Sequence, residues 1–386
     1  MKDETRMIRL GAAPETLVKT VGPPIQRGST VLMPNAAALY DDHQVTYGRQ
    51  GLGVQATLCD ALAAMEGASG VTLYPSGLAA LTGAMLAVLK AGDEVLVCDT
   101  IYKPTRRFCE RVLGRFGVTV RFYDPRQSPQ ALVGEAGPAV RMIVLESPGS
   151  LTFEMQDVPA IAALARARGI LTLADNTWAA GYLFKPLEHG VDISAQALTK
   201  YVGGHSDVFM GSAATRDKGL LDALEAGIIH LGWSVSPDDA YQILRGLRTL
   251  PVRLARQGAS GLAVAEWLAA HPQVVRLLHP ALPCDAGHAL WSRDYAGACG
   301  LFAIALTPGP QSAVDAFLDA LKLFGLGFSW GGFESLAIGC DQQLHCRDHL
   351  RDYPGPLIRL HIGLEDPGDL VADLAQALAV YASHAG

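Results

Sequence analysis

The chain has 386 residues, 49% of them hydrophobic, enough for two domains and a substantial buried core. Its net charge of −7 comes without a basic run, which argues against nucleic acid or an anionic membrane surface as a partner. The charged start Met1-Lys2-Asp3-Glu4-Thr5-Arg6, the lack of an apolar run long enough to span a membrane, and seven cysteines without paired spacing together predict a cytoplasmic protein with reduced thiols.

Residues 1–50 have weak periodicity and many turn formers, as expected of an N-terminal arm that packs on a partner subunit. From 51 to 245, short apolar runs alternate with helical spacing such as that over 158–168. The candidate strands are 71–74, 94–99, 118–122, 142–146, 170–175, 193–198 and 209–213. This alternation predicts an α/β fold, a mainly parallel seven-stranded sheet covered on both faces by helices. A helix over 251–270 leads into a smaller C-terminal α+β domain, 246–386. That domain has strands at 301–306 and 358–362 and helices near 311–323 and 368–383. There are no internal repeats.

Several of these elements end in residues suited to chemistry. The strand–turn–helix segment Tyr74-Pro75-Ser76-Gly77-Leu78-Ala79 offers the first amides of a helix as a phosphate seat. It lacks the paired-glycine dinucleotide pattern and the Gly-Lys-Ser/Thr phosphate loop. Tyr102 follows the second strand and could lie against a flat cofactor, or could be a half-buried loop tyrosine. Asp175 ends the strand before Asn176-Thr177-Trp178. There it either holds a pyridine nitrogen protonated or caps the next helix. Lys200 follows the 193–198 strand and precedes Gly203-Gly204. An unpaired ammonium is a poor core group, but an amine at this place could condense with an aldehyde cofactor and then move protons. In an open parallel sheet, ligands sit beyond the carboxyl ends of the strands, so Asp175 and Lys200 could face one site. Cys340, His345, Cys346 and His349 lie within ten residues, but their spacing fits no standard zinc pattern, and the segment reads as a polar surface loop.

With these residues in place, the chain resembles the Cys/Met-metabolism group of pyridoxal 5'-phosphate (PLP) enzymes. Within that group it is similar to the bacterial cystathionine β-lyases. The resemblance runs from Tyr47-Gly48-Arg49 to Arg359-Leu360-His361-Ile362-Gly363. It includes Leu145-Glu146-Ser147-Pro148-Gly149-Ser150, Asp175-Asn176-Thr177-Trp178, Gly246-Leu247-Arg248-Thr249-Leu250 and Ser329-Trp330-Gly331-Gly332-Phe333-Glu334-Ser335. It implies a fold-type I (aspartate-aminotransferase-like) enzyme whose PLP-binding domain spans 51–245. It further implies that Lys200 carries the covalent link to PLP, Asp175 pairs with the pyridine nitrogen, and Tyr102 stacks on the ring and joins Lys200 in catalysis. Gly77, Leu78 and Thr199 would hold the phosphate. Tyr47 and Arg49 would reach the cofactor phosphate and substrate of a neighbouring subunit, in a homodimer or homotetramer with shared sites. Arg359 would grip the substrate α-carboxylate, a task that suits its bidentate fork. Ser329 and Trp330 would line the substrate side.

Two positions depart from the wider group: Ala197 stands where many relatives have a serine, and Gly149-Ser150 where many have an asparagine. The second departure is shared with the β-lyases. Ile229 takes the place of a tyrosine found in some β-lyases. The implied reaction is β-elimination from an amino acid with sulfur on Cβ, with Lys200 or Tyr102 returning a proton to the leaving sulfur. The competing readings are γ-lyases and γ-synthases, which usually have leucine in place of Trp330, and a scaffold that keeps the fold without the chemistry.

Overall fold

The computed structural model describes residues 1–9, 20–41, 44–350 and 352–385. The rest of the expected N-terminal arm, at 10–19 and 42–43, lies outside the described residues. Seven five- to seven-residue strands form the large sheet: β1 Gly70–Tyr74, β2 Glu94–Cys98, β3 Thr119–Tyr123, β4 Val140–Glu146, β5 Leu171–Asp175, β6 Ile193–Ala197 and β7 Gly211–Thr215. Their order is β1-β7-β6-β5-β4-β2-β3, and β7 alone runs against its neighbours. The near-continuous apolar burial of β2 and β4 follows from helices on both faces.

β6 and β7, Ile-Ser-Ala-Gln-Ala and Gly-Ser-Ala-Ala-Thr, have few large side chains because a turn presses on them. A Cβ on Gly211 would lie 2.3 Å from the Ser76 carbonyl oxygen, and one on Gly77 would lie 2.3 Å from the Ala197 Cβ. The helix Gly77–Val88 therefore starts directly against the carboxyl end of β6. Here Ala197 replaces the group's serine and packs on Gly77.

The second sheet joins β8 Val274–Leu278, β9 Leu301–Leu306, β10 Gly325–Leu326, β11 Leu336–Gly339 and β12 Leu357–His361 in the order β10-β11-β12-β9-β8. β12 divides its faces by the two-residue period of a strand. Ile358 and Leu360 enter the core around Phe302 and Phe317, and Leu357 joins the cluster that reaches the large sheet. The long helix Leu250–Ala269 connects the two halves. The sequence signals for β8, β10 and β11 were too short or too mixed to stand out, and β10 has only two residues.

At the N-terminus, helix Asp3–Arg9 packs on its own chain. Met7 is buried, Lys185 pairs with Asp3 at 2.7 Å, and Tyr182 donates to Glu4 at 3.2 Å. Further along, Leu32 and Tyr40 are 90% and 87% exposed. Among the described residues, no helix is long and apolar enough to cross a membrane.

Phe302 on β9 is fully buried in the smaller core. Truncating it, Phe302→Ala, should cost about 3–5 kcal/mol through lost transfer energy and an unfilled cavity. The measurement is the fall in the urea midpoint of the transition that unfolds the C-terminal half.

Candidate active site

The carboxyl ends of β1, β4, β5 and β6 open onto a cavity of about 630 Å³, closed on its far side by the second sheet. Its lining includes Gly77, Leu78, Tyr102, Glu146, Asp175, Thr199, Lys200, Trp330 and Arg359, which brings together residues scattered over 283 positions of the chain, from 77 to 359. Three predicted residues are absent from its lining: Ser329, whose Oγ still meets Lys200 Nζ, and Tyr47 and Arg49. The Arg49 guanidinium lies 5.3 Å from the Tyr47 ring centroid, and Tyr47 is exposed. Ile229 is likewise exposed and does not line the cavity.

Lys200 follows β6 in a turn whose Gly203 and Gly204 amides bond back to the Leu198 and Lys200 carbonyls. Its Nζ donates to Ser329 Oγ at 2.8 Å and stands 5.3 Å from the Trp330 ring centroid. Burial, and then the Arg359 charge, push the lysine pKa down from 10.5 to about 8. Burial disfavours an ammonium, and a like charge adds to the effect.

Asp175 is buried at the end of β5, and no helix starts beside it. Its Oδ1 accepts from the Thr177 amide at 3.1 Å and the Thr177 hydroxyl at 2.6 Å. The helix-capping alternative therefore fails. Burial raises its pKa, against the opposing pull of Thr177 and Lys200.

Sequence reasoning did not assign Glu146. It ends β4 directly opposite Asp175 in the parallel ladder and lines the same cavity. Its Oε2 accepts from the Tyr102 amide at 2.6 Å. Burial and then the Asp175 charge lift its pKa well above the usual carboxylate range. Two carboxyls paired in this way disfavour each other's charge, and of the two the upward push is the stronger on Glu146. The signal was available, since Leu145-Glu146 ends an apolar strand as Ala174-Asp175 does.

Tyr102 sits just ahead of helix Lys103–Arg111, 45% exposed, with its phenol pKa raised by burial and by Asp175 and Glu146. Ser76 caps helix Gly77–Val88 by accepting from the Ala79 amide at 3.1 Å, which leaves the Gly77 and Leu78 amides free at the helix start. Thr199 is more committed. Its hydroxyl donates to the Met210 carbonyl at 3.2 Å and accepts from the Met210 amide at 3.0 Å. Arg359 on β12 is buried, and its Nη2 donates to the carbonyls of Gly327, Phe328 and Ser329 at 3.4, 3.2 and 3.0 Å. Nε and Nη1 have no hydrogen bond to the described residues.

The 340–349 segment is not the expected polar surface loop. Cys340 and Leu344 are buried, and Gln343, Cys346 and Arg347 line the cavity. Arg347 Nη1 donates to Thr152 Oγ1 at 2.6 Å. The Asp348 and His349 amides donate to Asp99 at 3.1 and 2.8 Å, which draws the segment onto the large sheet. Among the described residues, no three or more His, Cys, Asp or Glu side chains cluster to hold a metal ion.

A cavity with an amine of lowered pKa, a buried carboxylate and a helix start defines an enzyme of the fold-type I class. The family model for Cys/Met metabolism PLP-dependent enzymes matches residues 4–379, and the chain belongs to that family. The chain is 44% identical to the cystathionine beta-lyase of Bordetella avium, with 97% of each chain covered. It is 40% identical to the cystathionine beta-lyase MetC of Escherichia coli, with 98% of each covered. A solved cystathionine gamma synthase from Xanthomonas oryzae pv. oryzae, in complex with aminoacrylate and cysteine, is 31% identical. It has a TM-score of 0.92 and covers 100% of this chain and 99% of that one. PLP is the cofactor, and the residues fit it: two free amides for a phosphate, a buried anion for a ring nitrogen and an amine for the aldehyde.

An amine condenses with an aldehyde only when neutral, so if Lys200 is the group that takes up PLP, uptake by the cofactor-free protein should speed up with rising pH and level off above about 8. Stopped-flow absorbance would test this. A rate still climbing toward pH 10.5 would mean an unperturbed lysine. Arg359→Leu should move the midpoint upward.

Proposed function

We propose that the protein is a PLP-dependent carbon–sulfur β-lyase that converts L-cystathionine and water to homocysteine, pyruvate and ammonia. The observation that carries this reading is one cavity shared by Lys200, Asp175 and Arg359 and walled by Trp330. The curated relatives named cystathionine beta-lyase, similar over nearly their full length, supply the substrate.

Arg359 binds the α-carboxylate through guanidinium N–H groups that the carbonyls of Gly327, Phe328 and Ser329 leave free. Bound PLP supplies an electron sink for the pair left on Cα when its proton departs. Asp175, oriented by Thr177, stays anionic and keeps the pyridine nitrogen protonated. Tyr102 would lie against the ring, and the Gly77 and Leu78 amides would take the phosphate, with Thr199 beside them. Lys200 Nζ, in the neutral form that a pKa lowered to about 8 makes more accessible, removes the Cα proton, and Ser329 fixes its direction. The sulfur leaves Cβ as a thiolate. Lys200 in its protonated form and the Tyr102 phenol, which holds its proton tightly, are the two groups able to supply the sulfur with a proton. The γ-lyase and γ-synthase alternatives need a second proton removed, at Cβ.

Purified PLP-loaded protein given L-cystathionine should yield pyruvate with homocysteine; 2-oxobutyrate with cysteine would replace this reading with γ-elimination. Trp330→Leu should lower β-elimination by about tenfold or more while PLP affinity changes little, because a substrate wall contributes on the order of 1–3 kcal/mol. Equal losses in both would assign Trp330 to folding.

The partner in this reading is a second copy of the chain, in a dimer or a pair of dimers. Tyr47 and Arg49 lie outside their own cavity, and Phe209, 76% exposed at the cavity rim, awaits a cover. Seven free cysteines, most of them buried, support a reducing, cytoplasmic setting. Co-expressed Lys200→Ala and Arg49→Ala chains should form hybrids with one intact site and regain activity that neither variant has alone. No regain would mean that each chain builds its site alone.

A further inference from the structure

The roles above leave open what holds the Ser329–Trp330 turn against Lys200. Gly331 has φ of +84°, and a Cβ there would lie 3.0 Å from the Lys200 Cα and 2.9 Å from the Tyr201 amide nitrogen. The turn thus rests on the lysine's own backbone. Two buried side chains bond its peptide groups. The Gly331 N–H donates to His361 Nε2 at 3.0 Å, and the Gly332 carbonyl accepts from Gln257 Nε2 at 2.6 Å. They come from different elements: His361 ends β12, and Gln257 lies in helix Leu250–Ala269.

His361 is fully buried, and strand alternation puts it on the same face of β12 as Arg359. Its ring packs edge-on to Tyr201, centroids 5.9 Å apart, and Tyr201 in turn packs on Trp330 at 5.5 Å. Because an N–H points at Nε2, that nitrogen carries the lone pair and the ring proton sits on Nδ1. The Gly332 carbonyl, 3.4 Å from Nε2, is already bonded by Gln257. Nδ1 is buried with no hydrogen-bond partner among the described residues. A buried donor left unpaired is costly and rare, and an apolar side chain would avoid the cost. What an apolar side chain would lack is the acceptor. Burial drives the imidazole pKa down to about 3, so the lone pair persists at working pH.

We infer that His361 is a positioning residue: its neutral imidazole accepts from the Gly331 amide and thereby sets Ser329 Oγ and the Trp330 ring against Lys200 Nζ. The inference rests on the reading of Lys200 as the reacting amine. It adds to that reading a dependence of the lysine's partner on a residue of the second sheet.

The test compares His361→Gln, which keeps an acceptor, with His361→Leu, which fills the space without one. His361→Leu should lower kcat by about 100-fold, the scale of a misplaced catalytic contact, while the dissociation constant for PLP stays within about threefold. His361→Gln should recover kcat to within about fivefold of the parent. Equal losses in the two variants, or a kcat for His361→Leu near that of the parent, would overturn the inference. Should His361→Leu fail to fold, Gln257→Met removes the other restraint and should lower kcat with PLP binding retained; unchanged kcat would overturn it. The visible band of bound PLP, read without substrate, should shift in the leucine variant and not in the glutamine variant. If the parent cleaves no thioether, the β-lyase reading falls, and this band alone decides the role of His361.

Discussion

The structure depends on one costly act, the burial of the Lys200 amine. Water stabilises an ammonium far better than a protein interior does, so burial favours the neutral amine, and the nearby Arg359 charge adds to that preference. Ser329 Oγ accepts a hydrogen bond from Nζ, and the Trp330 ring lies 5.3 Å from it. The result is a lysine whose pKa falls to about 8, within reach of neutral pH, instead of remaining at 10.5. Both condensation with an aldehyde and removal of a Cα proton need that neutral form.

The carboxylates around it follow the same physics with the opposite sign. β4 and β5 are paired so that Glu146 and Asp175 stand opposite each other, and two adjacent buried anions would repel. Thr177 gives Asp175 two hydrogen bonds that favour its charged form, whereas the one strong bond to Glu146 comes from the Tyr102 amide. The Glu146 carboxyl thereby anchors the backbone at Tyr102, while Asp175 is anchored by Thr177, and both line the cavity. The second sheet completes the site with Arg359 and with the turn that touches Lys200, so the chemistry sits at the junction of two cores.

Much of this was legible in the chain. The seven large-sheet strands announce themselves as short apolar runs, and the ends of all seven lie within two residues of the expected positions. Asp175 and Lys200 end successive strands, so their approach follows from the rule that ligands sit at strand carboxyl ends. Other features were hidden. β8, β10 and β11 are short and mixed in character, and their pairing is decided by partners far away in sequence. The 340–349 segment looks polar because Gln343, Arg347 and Asp348 are polar. Yet Cys340 and Leu344 are buried, and hydrogen bonds to Ser150, Thr152 and Asp99 draw it to the cavity rim.

The amino-acid sequence by itself determined the alternating architecture and the family, and it singled out Lys200 as a strand-end lysine, because periodicity and short motifs are local properties of a chain. Tertiary structure alone decided the pairing of Glu146 with Asp175, the lowered pKa of Lys200 and the hydrogen bonds that join the turn after Ser329 to His361 and Gln257. Those properties arise from desolvation and from contacts between residues far apart in the chain, such as Lys200 and Ser329, 129 positions apart. No local pattern encodes such distances. Only the packing of the two sheets brings the groups within range of one another.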